Sequence, residues 1–429
     1  AMVYGNGVSG KGAKKLLEYL NYEVILIDDK SALPSEEAYK YLDEIEIFIK
    51  SPGITYNKLV KTVQDKKIKM IDEIELAYNY IVDKKIATKI IAITGTNGKS
   101  TTTAKIAEIL NFVGYKATFA GNIGVSLAET VIDKPDLDFI ALELSSFQLE
   151  NIEKFKPYIS MIVNLGPDHI ERYNNFNEYY DTKFNILKQQ DETCFFIENI
   201  DDIEIENRKN LIKTKTMTVS KSKEADVNVN DGKIFFKKEY ITDVENLSLK
   251  GIHNLENILF VVASSKIIGL ENSKIKEFLS IAKPLEHRTE FFHSYGDVKF
   301  INDSKATNID STKFAIEANK DCLLICGGYD KGVDLKPLAN LIKENVKKVF
   351  LIGVIAEKIK SLLLEVGYDE KKIFMFNDLE TTLLFLKEKL TKSDKEIVLL
   401  SPATSSYDQF KSFEHRGKVF KELVLKIFG

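Results

Sequence analysis

The apolar segment KIIAIT runs into Gly95, Thr96, Asn97, Gly98, Lys99, Ser100 and Thr101, and a helical pattern follows to Phe112. A glycine-bounded turn between a strand and a helix presents backbone N–H groups and a helix N-terminus to an anion. Lys99 supplies a cation for terminal phosphate charge, and Ser100 a hydroxyl for magnesium, so chemistry on a nucleoside triphosphate is expected. The loop is shorter than the standard phosphate loop, because Ile93 stands where that motif has its first glycine. A second turn, Gly5, Gly7 and Gly10, has the G-x-G-x-x-G spacing, with Asp28 and Asp29 ending the next apolar run. Alone it suggests NAD, but the spacing serves any ligand whose diphosphate sits on a helix N-terminus. Two such loops imply two nucleotides, one of which need not react.

Other polar residues gather at the ends of apolar runs. Glu143 ends FIALEL, and Asp168 and His169 follow ISMIVNL. Oxygen and imidazole groups beside Ser100 suit Mg²⁺ on phosphate oxygens, though a loop histidine also serves as a plain hydrogen-bonding group. Lys183 shares a helical stripe with Tyr179, Tyr180, Phe184 and Leu187. It reads either as a lysine reaching past an apolar face to water, or as a buried amine able to react, even with carbon dioxide to form a carbamate. Further along, Asp303, Ser304, Lys305, Ala306, Thr307 and Asn308, then Gly327, Gly328 and Lys331, then SPATSSYDQFKSFEHRG follow successive strands. They read as an anion site for an acidic co-substrate or as solvated loops.

The elements that must carry these groups alternate between strand and helix, which predicts α/β folding with parallel sheets. Three domains are expected: residues 1–86 with the first glycine loop, 87–284 with the phosphate loop, and 285–429 beyond the break at Pro284. The first and third read as Rossmann-like. Short strands between about Phe195 and Leu249, with a turn at Asp231–Gly232, predict a small antiparallel insert in the middle domain. The chain has 429 residues, 44% of them hydrophobic, with 60 basic against 64 acidic residues. Its lysines are interleaved with acidic residues, which argues against a nucleic-acid partner. No apolar run reaches a membrane span and no secretory leader is legible, so a cytoplasmic, membrane-free monomer is expected. Cys322 and Cys326 fall in the apolar run CLLIC and read as core residues, not as a disulfide or zinc framework.

With those residues placed, the chain resembles the Mur ligases over essentially its whole length. GTNGKST is similar to the family's phosphate loop. ELSSFQLE, DHIERY, INDSKATN and SPATSSYDQFKSFEHRG resemble the members that join D-glutamate to UDP-N-acetylmuramoyl-L-alanine. The resemblance implies ATP as the energy source, an acyl-phosphate intermediate, and a first domain that takes UDP in place of NAD. It implies substrate contacts at Val8, Ser9, Asp28, Asp29, Gly53 and Asn122. For ATP it implies Thr96, Asn97, Gly98, Lys99, Ser100, Thr101, Asn254, Asn257, His287, Arg288, Asp303 and Lys305. Two Mg²⁺ ions are implied at Ser100, Glu143 and His169, with Lys183 carried as a carbamate. Lys99, His169, Lys183 and Lys305 are thereby assigned to catalysis, and Thr307, Lys331, Ser406 and Phe413 to D-glutamate. Glu171 replaces the family's second Asp in DHxDRY and keeps the charge. Because the ATP residues come from two domains, the third is expected to close on ligand binding. Neither an NAD oxidoreductase, for which no nicotinamide pocket or hydride-handling residue is found, nor a catalytically idle nucleotide-sugar binder fits the retained Lys99, Glu143, His169, Lys183 and Lys305.

Overall fold

The computed structural model describes residues 1–167, 172–330 and 332–429. The chain forms two compact units, Ala1–Ala282 and Lys283–Gly429, and its described residues form three sheets. Among the described residues no helix is long and apolar enough to cross a membrane.

The first sheet is parallel, in the order Ile25–Ile27, Met2–Tyr4, Ile47–Lys50, Lys69–Ile71. Helix Val8–Tyr19 starts straight after the first glycine turn. The third glycine of that turn is required by close approach, since a Cβ on Gly10 would lie 1.8 Å from the Gly5 carbonyl oxygen. Asp28 fixes the turn from the next strand, accepting from the Asn6 N–H at 3.0 Å and from the Ser31 N–H and hydroxyl.

The second sheet has nine strands. Lys89–Thr94 lies inside it, between Phe139–Glu143 and Ile159–Ile162 and parallel to both. Parallel strands bring their carboxyl ends to one edge, so Glu143 pairs in register with Ile93 and with Gly121, beside the phosphate loop. Phe195–Asn199 and Lys215–Ser220 extend this parallel sheet. The expected insert is therefore smaller and is continuous with the main sheet. Antiparallel pairing is confined to Val227–Asn230, Lys233–Phe236 and Glu239–Asp243, around Asp231 (φ 44°) and Gly232 (φ 69°). The helix Ile203–Glu206 lies between the two earlier strands and lets the second return parallel to the first.

One apolar cluster joins both sheets of this unit, with Val3, Leu16 and Ile74 in the same core as Ala92, Leu127 and Leu142. Polar contacts reinforce it. Glu75 is fully buried and accepts three backbone N–H groups, from Glu153, Lys154 and Phe155. Glu150 pairs with Lys50 at 3.2 Å and with Arg172 at 2.9 Å, while Arg172 also donates to the Pro52 carbonyl next to Gly53.

The second unit is a six-stranded sheet, Glu290–Tyr295, Val298–Asn302, Ile397–Leu400, Cys322–Gly327, Val346–Ile352, Ile373–Met375, parallel except for its first strand. Separate apolar clusters form around Leu324 and Leu351 and around Phe300, Ile325 and Phe350. Cys322 and Cys326 are core residues with free thiols, as their apolar setting suggested.

Asp72 and Glu73 open helix Glu73–Asp83 inside the core of the first unit. Burial pushes their carboxyls up to about 7 and about 8, and Asp72 Oδ2 and Glu73 Oε2 have no partner among the described residues. A carboxyl with a raised folded pKa binds more protons folded than unfolded, so it lowers stability as pH rises from its unfolded value towards its folded one. Replacing Glu73 with Gln should therefore gain on wild type between about pH 5 and 8, by on the order of 1 kcal/mol per pH unit. Urea unfolding at several pH values tests this, and parallel stability curves would contradict it.

Candidate active site

The phosphate loop is held by its neighbours' backbone and side chains. Gly95 (φ 146°) and Gly98 (φ 79°) adopt backbone that L side chains avoid. The Thr96 N–H donates to the Asn164 carbonyl at 2.8 Å. The Thr96 hydroxyl donates to the Gly166 carbonyl at 3.1 Å and accepts the Gly166 N–H at 2.9 Å. Opposite Gly98 lies Asn257, whose Oδ1 also accepts the Thr102 hydroxyl at 3.3 Å. Helix Lys99–Phe112 then carries Ser100 and Thr101, both buried, in its first turn.

Two lysines converge on this loop. Lys99 Nζ donates to the Gly95 and Thr96 carbonyls, each at 2.8 Å. Lys183, on helix Phe176–Phe184, is 1% exposed. Its Nζ donates to the Gly95 carbonyl at 2.9 Å and lies 4.6 Å from the centre of the Tyr179 ring. Of the two readings open in the sequence, the lysine that reaches past an apolar face to water is excluded, because the side chain is buried. Sequence reasoning counted Tyr179 only as apolar lining, but its hydroxyl also lies 3.4 Å from the Thr96 hydroxyl.

Glu143 is 2% exposed. Its Oε1 accepts from Asn122 Nδ2 at 2.8 Å, while Oε2 has no hydrogen-bond partner among the described residues. A buried carboxylate oxygen without a donor is costly unless a cation completes it. Glu143 and Ser100, hard oxygen donors beside a phosphate loop, fit a magnesium ion. Asp168, His169 and Glu171 lie outside the described residues, as does Lys331. Asn254 donates to the Lys250 carbonyl at the start of helix Ile252–Ile268. At the first glycine turn Val8 is 57% exposed, and Ser9 follows it in the same first helical turn. Asp29 accepts from the Ser35 N–H, and Gly53 is exposed with open space around it.

The second unit gathers the remaining residues at the carboxyl ends of its strands. Asp303 is buried, accepting from the Thr289 N–H at 3.0 Å and the Ser401 hydroxyl at 2.7 Å. Burial pushes its carboxyl up to about 7, against the opposing charge of Arg288. His287 Nδ1 lies 2.8 Å from Asn302 Nδ2. That amide nitrogen only donates, so the neutral ring carries its proton on Nε2, and burial lowers the His287 pKa. Lys305 sits 3.9 Å over the Phe413 ring, and the Thr307 N–H donates to the Lys305 carbonyl. Ser406 is buried, and its carbonyl accepts the Gln409 and Phe410 N–H groups. Arg416, not singled out from sequence, is 1% exposed. It donates to Ser304 and to the Thr404 carbonyl, leaving Nη1 without a partner among the described residues. Glu286, His287 and Glu290 cluster closely enough to hold a cation, but Lys421 already pairs with both carboxylates, at 2.9 and 2.6 Å.

Residues 93–265 match the model of the Mur ligase middle domain. The chain is 65% identical over its whole length to UDP-N-acetylmuramoylalanine--D-glutamate ligase of Fusobacterium nucleatum, spanning 99% of that protein. The chain is a Mur ligase. A relative of the same name from Thermoanaerobacter pseudethanolicus is 37% identical, with 99% of this chain and 98% of that one covered. Among solved structures, the UDP-N-acetylmuramate-alanine ligase MurC of Thermotoga maritima matches with a TM-score of 0.64 at 16% identity, covering 99% of each chain. The MurF ligase of Thermotoga maritima, solved with ADP, matches with a TM-score of 0.62 at 15% identity, covering 90% of this chain and 92% of that one. This Mur ligase therefore shares the family's three-sheet fold.

A Cβ on Gly98 of this Mur ligase would lie 2.2 Å from Asn257 Oδ1 and would sit on left-handed backbone (φ 79°) that strains an L side chain. Gly98→Ala should lose nucleotide binding and about 1–3 kcal/mol of stability. Calorimetric titration with ADP and a thermal melt check both, and wild-type ADP affinity would refute the assignment.

Proposed function

We propose that this Mur ligase joins D-glutamate to UDP-N-acetylmuramoyl-L-alanine, using ATP and releasing ADP and phosphate, in cytoplasmic synthesis of peptidoglycan precursor. The observation that carries the reading is 65% identity over the full length to a D-glutamate ligase, supported by a phosphate loop with Lys99 and Ser100 and by the buried side chains of Glu143 and Lys183. In this reading the three sheets divide the work. Residues 1–86 take the UDP group, 87–284 take ATP, and 285–429 take the incoming amino acid, with the chain acting as a monomer and without nucleic acid.

The substrate's alanyl carboxylate attacks the terminal phosphate of ATP, and the acyl phosphate formed is opened by the amine of D-glutamate, with loss of phosphate. Lys99 offsets the approach of two anions at the loop. Ser100 and Glu143, with His169, would hold Mg²⁺, which supplies positive charge to the phosphate oxygens when bound. Asn122 orients Glu143 through its amide. In the second unit Asp303, Lys305, His287 and Arg288 are assigned to ATP, and Thr307, Lys331, Ser406 and Phe413 to the two carboxylates of D-glutamate. Asn257 faces Gly98 from helix Ile252–Ile268, and Asn254, on the same helix, is assigned to ATP with it.

Lys183 is proposed to carry a carbamate. The amine is buried and held beside the phosphate loop, where it donates to the Gly95 carbonyl at 2.9 Å, so an added carboxylate would face that loop. Activity should fall in buffer depleted of carbon dioxide and return when bicarbonate is added. An unchanged rate would remove the carbamate from the mechanism.

Phosphate release from ATP, measured with UDP-N-acetylmuramoyl-L-alanine and each of D-glutamate, L-glutamate, L-alanine, L-lysine and diaminopimelate, tests the whole reading. Release is expected with D-glutamate alone. Turnover with a different member of the panel would reassign the amino acid, and none with any would reject the ligase.

A further inference from the structure

We propose that Asn164, Glu256 and Lys221 form a positioning relay that sets the shape of the phosphate loop for ATP; this rests on the loop being the ATP site. Asn164 stands just beyond strand Ile159–Ile162. Its side-chain Oδ1 accepts the Asn97 N–H at 2.9 Å, and its Nδ2 donates to Glu256 Oε1 at 2.8 Å. The other oxygen of Glu256 pairs with Lys221 Nζ. Glu256 lies near the start of helix Ile252–Ile268, next to Asn257. Lys221 comes from the segment after strand Lys215–Ser220, where its N–H donates to Asp201 Oδ2 at 2.6 Å.

Two physical consequences follow from this order of donors and acceptors. An ionised carboxylate only accepts, so Glu256 selects the nitrogen end of the Asn164 amide and leaves its oxygen for Asn97. The Asn97 N–H is thereby committed to loop shape and withdrawn from the set facing the phosphates. The second consequence is electrostatic. Glu256 is only partly exposed, at 13% of its side chain, and one side chain separates it from a loop that binds a polyanion. Lys221 offsets that charge, so the segment beyond Lys215–Ser220 contributes to the nucleotide site from outside it.

The relay is tested in the full-length enzyme by comparing KM for ATP, the UDP-linked substrate and D-glutamate in Lys221→Met, Lys221→Arg, Glu256→Ala, Glu256→Gln and the double variant K221M/E256Q. K221M and E256A should raise KM for ATP about tenfold, with the other two KM values within about twofold of wild type and the melting temperature little changed. K221R should behave as wild type, and adding K221M to E256Q should have less effect than K221M alone, because the charge it offset has gone. An unchanged KM for ATP in K221M and E256A would overturn the relay. So would parallel rises in all three KM values with a lowered melting temperature, or additive effects in the double variant. Wild-type protein that releases no phosphate from ATP would instead sink the ligase reading, a result distinguishable from an active wild type whose variants keep its KM for ATP.

Discussion

A backbone that turns its N–H groups towards an anion has turned them away from its own hydrogen-bonding partners, and the structure of the first unit depends on resolving that conflict. The loop from Gly95 to Ser100 contains two residues in left-handed backbone and cannot satisfy itself. Asn164 and Gly166 supply carbonyls and a side-chain amide from one side. Asn257 closes against Gly98 from another. Parallel strands are what make this possible, because they deliver several chain segments to the same edge in fixed register. The central sheet is thus a device for bringing partners to one strained turn.

The same conflict accounts for the buried charge nearby. Lys183 and Lys99 are both drawn to the Gly95 carbonyl, an acceptor that the loop's conformation leaves turned outward. In the proposed reaction, cations held on the loop's own backbone would stand close to the arriving phosphate charge, with little reorganisation required. Glu143 is the counterpart, a buried acceptor whose second oxygen has no donor among the described residues, a place that the proposed magnesium would fill.

How much of this was legible in sequence followed from how local each signal is. The phosphate loop, the strand before it and the helix after it are contiguous, so Gly95 to Thr101 could be read directly. Burial of Lys183 was half legible, because its helical neighbours Tyr179, Phe184 and Leu187 are apolar but spacing alone does not say which side of a stripe is covered. Asn164, Glu256 and Lys221 were missed because each is an ordinary polar residue in its own segment, and only the sheet brings them together. Asp72, Glu73 and Glu75 resemble the acidic first turn of a solvent-exposed helix; their burial is decided by the core that the first two sheets share. Arg416 sat within a recognised segment, yet nothing in a run of Ser, Lys and His announces a guanidinium enclosed among carbonyls.

Each unit carries apolar clusters of its own. For the second unit this has an evolutionary meaning. A sheet with apolar clusters of its own can exchange the residues on its strand-end loops while that core is kept. A solved structure with only 16% identity to this chain has the same fold. Loops at strand ends can thus be rewritten at little cost to the core beneath them, which is how one architecture comes to be shared by sequences so different.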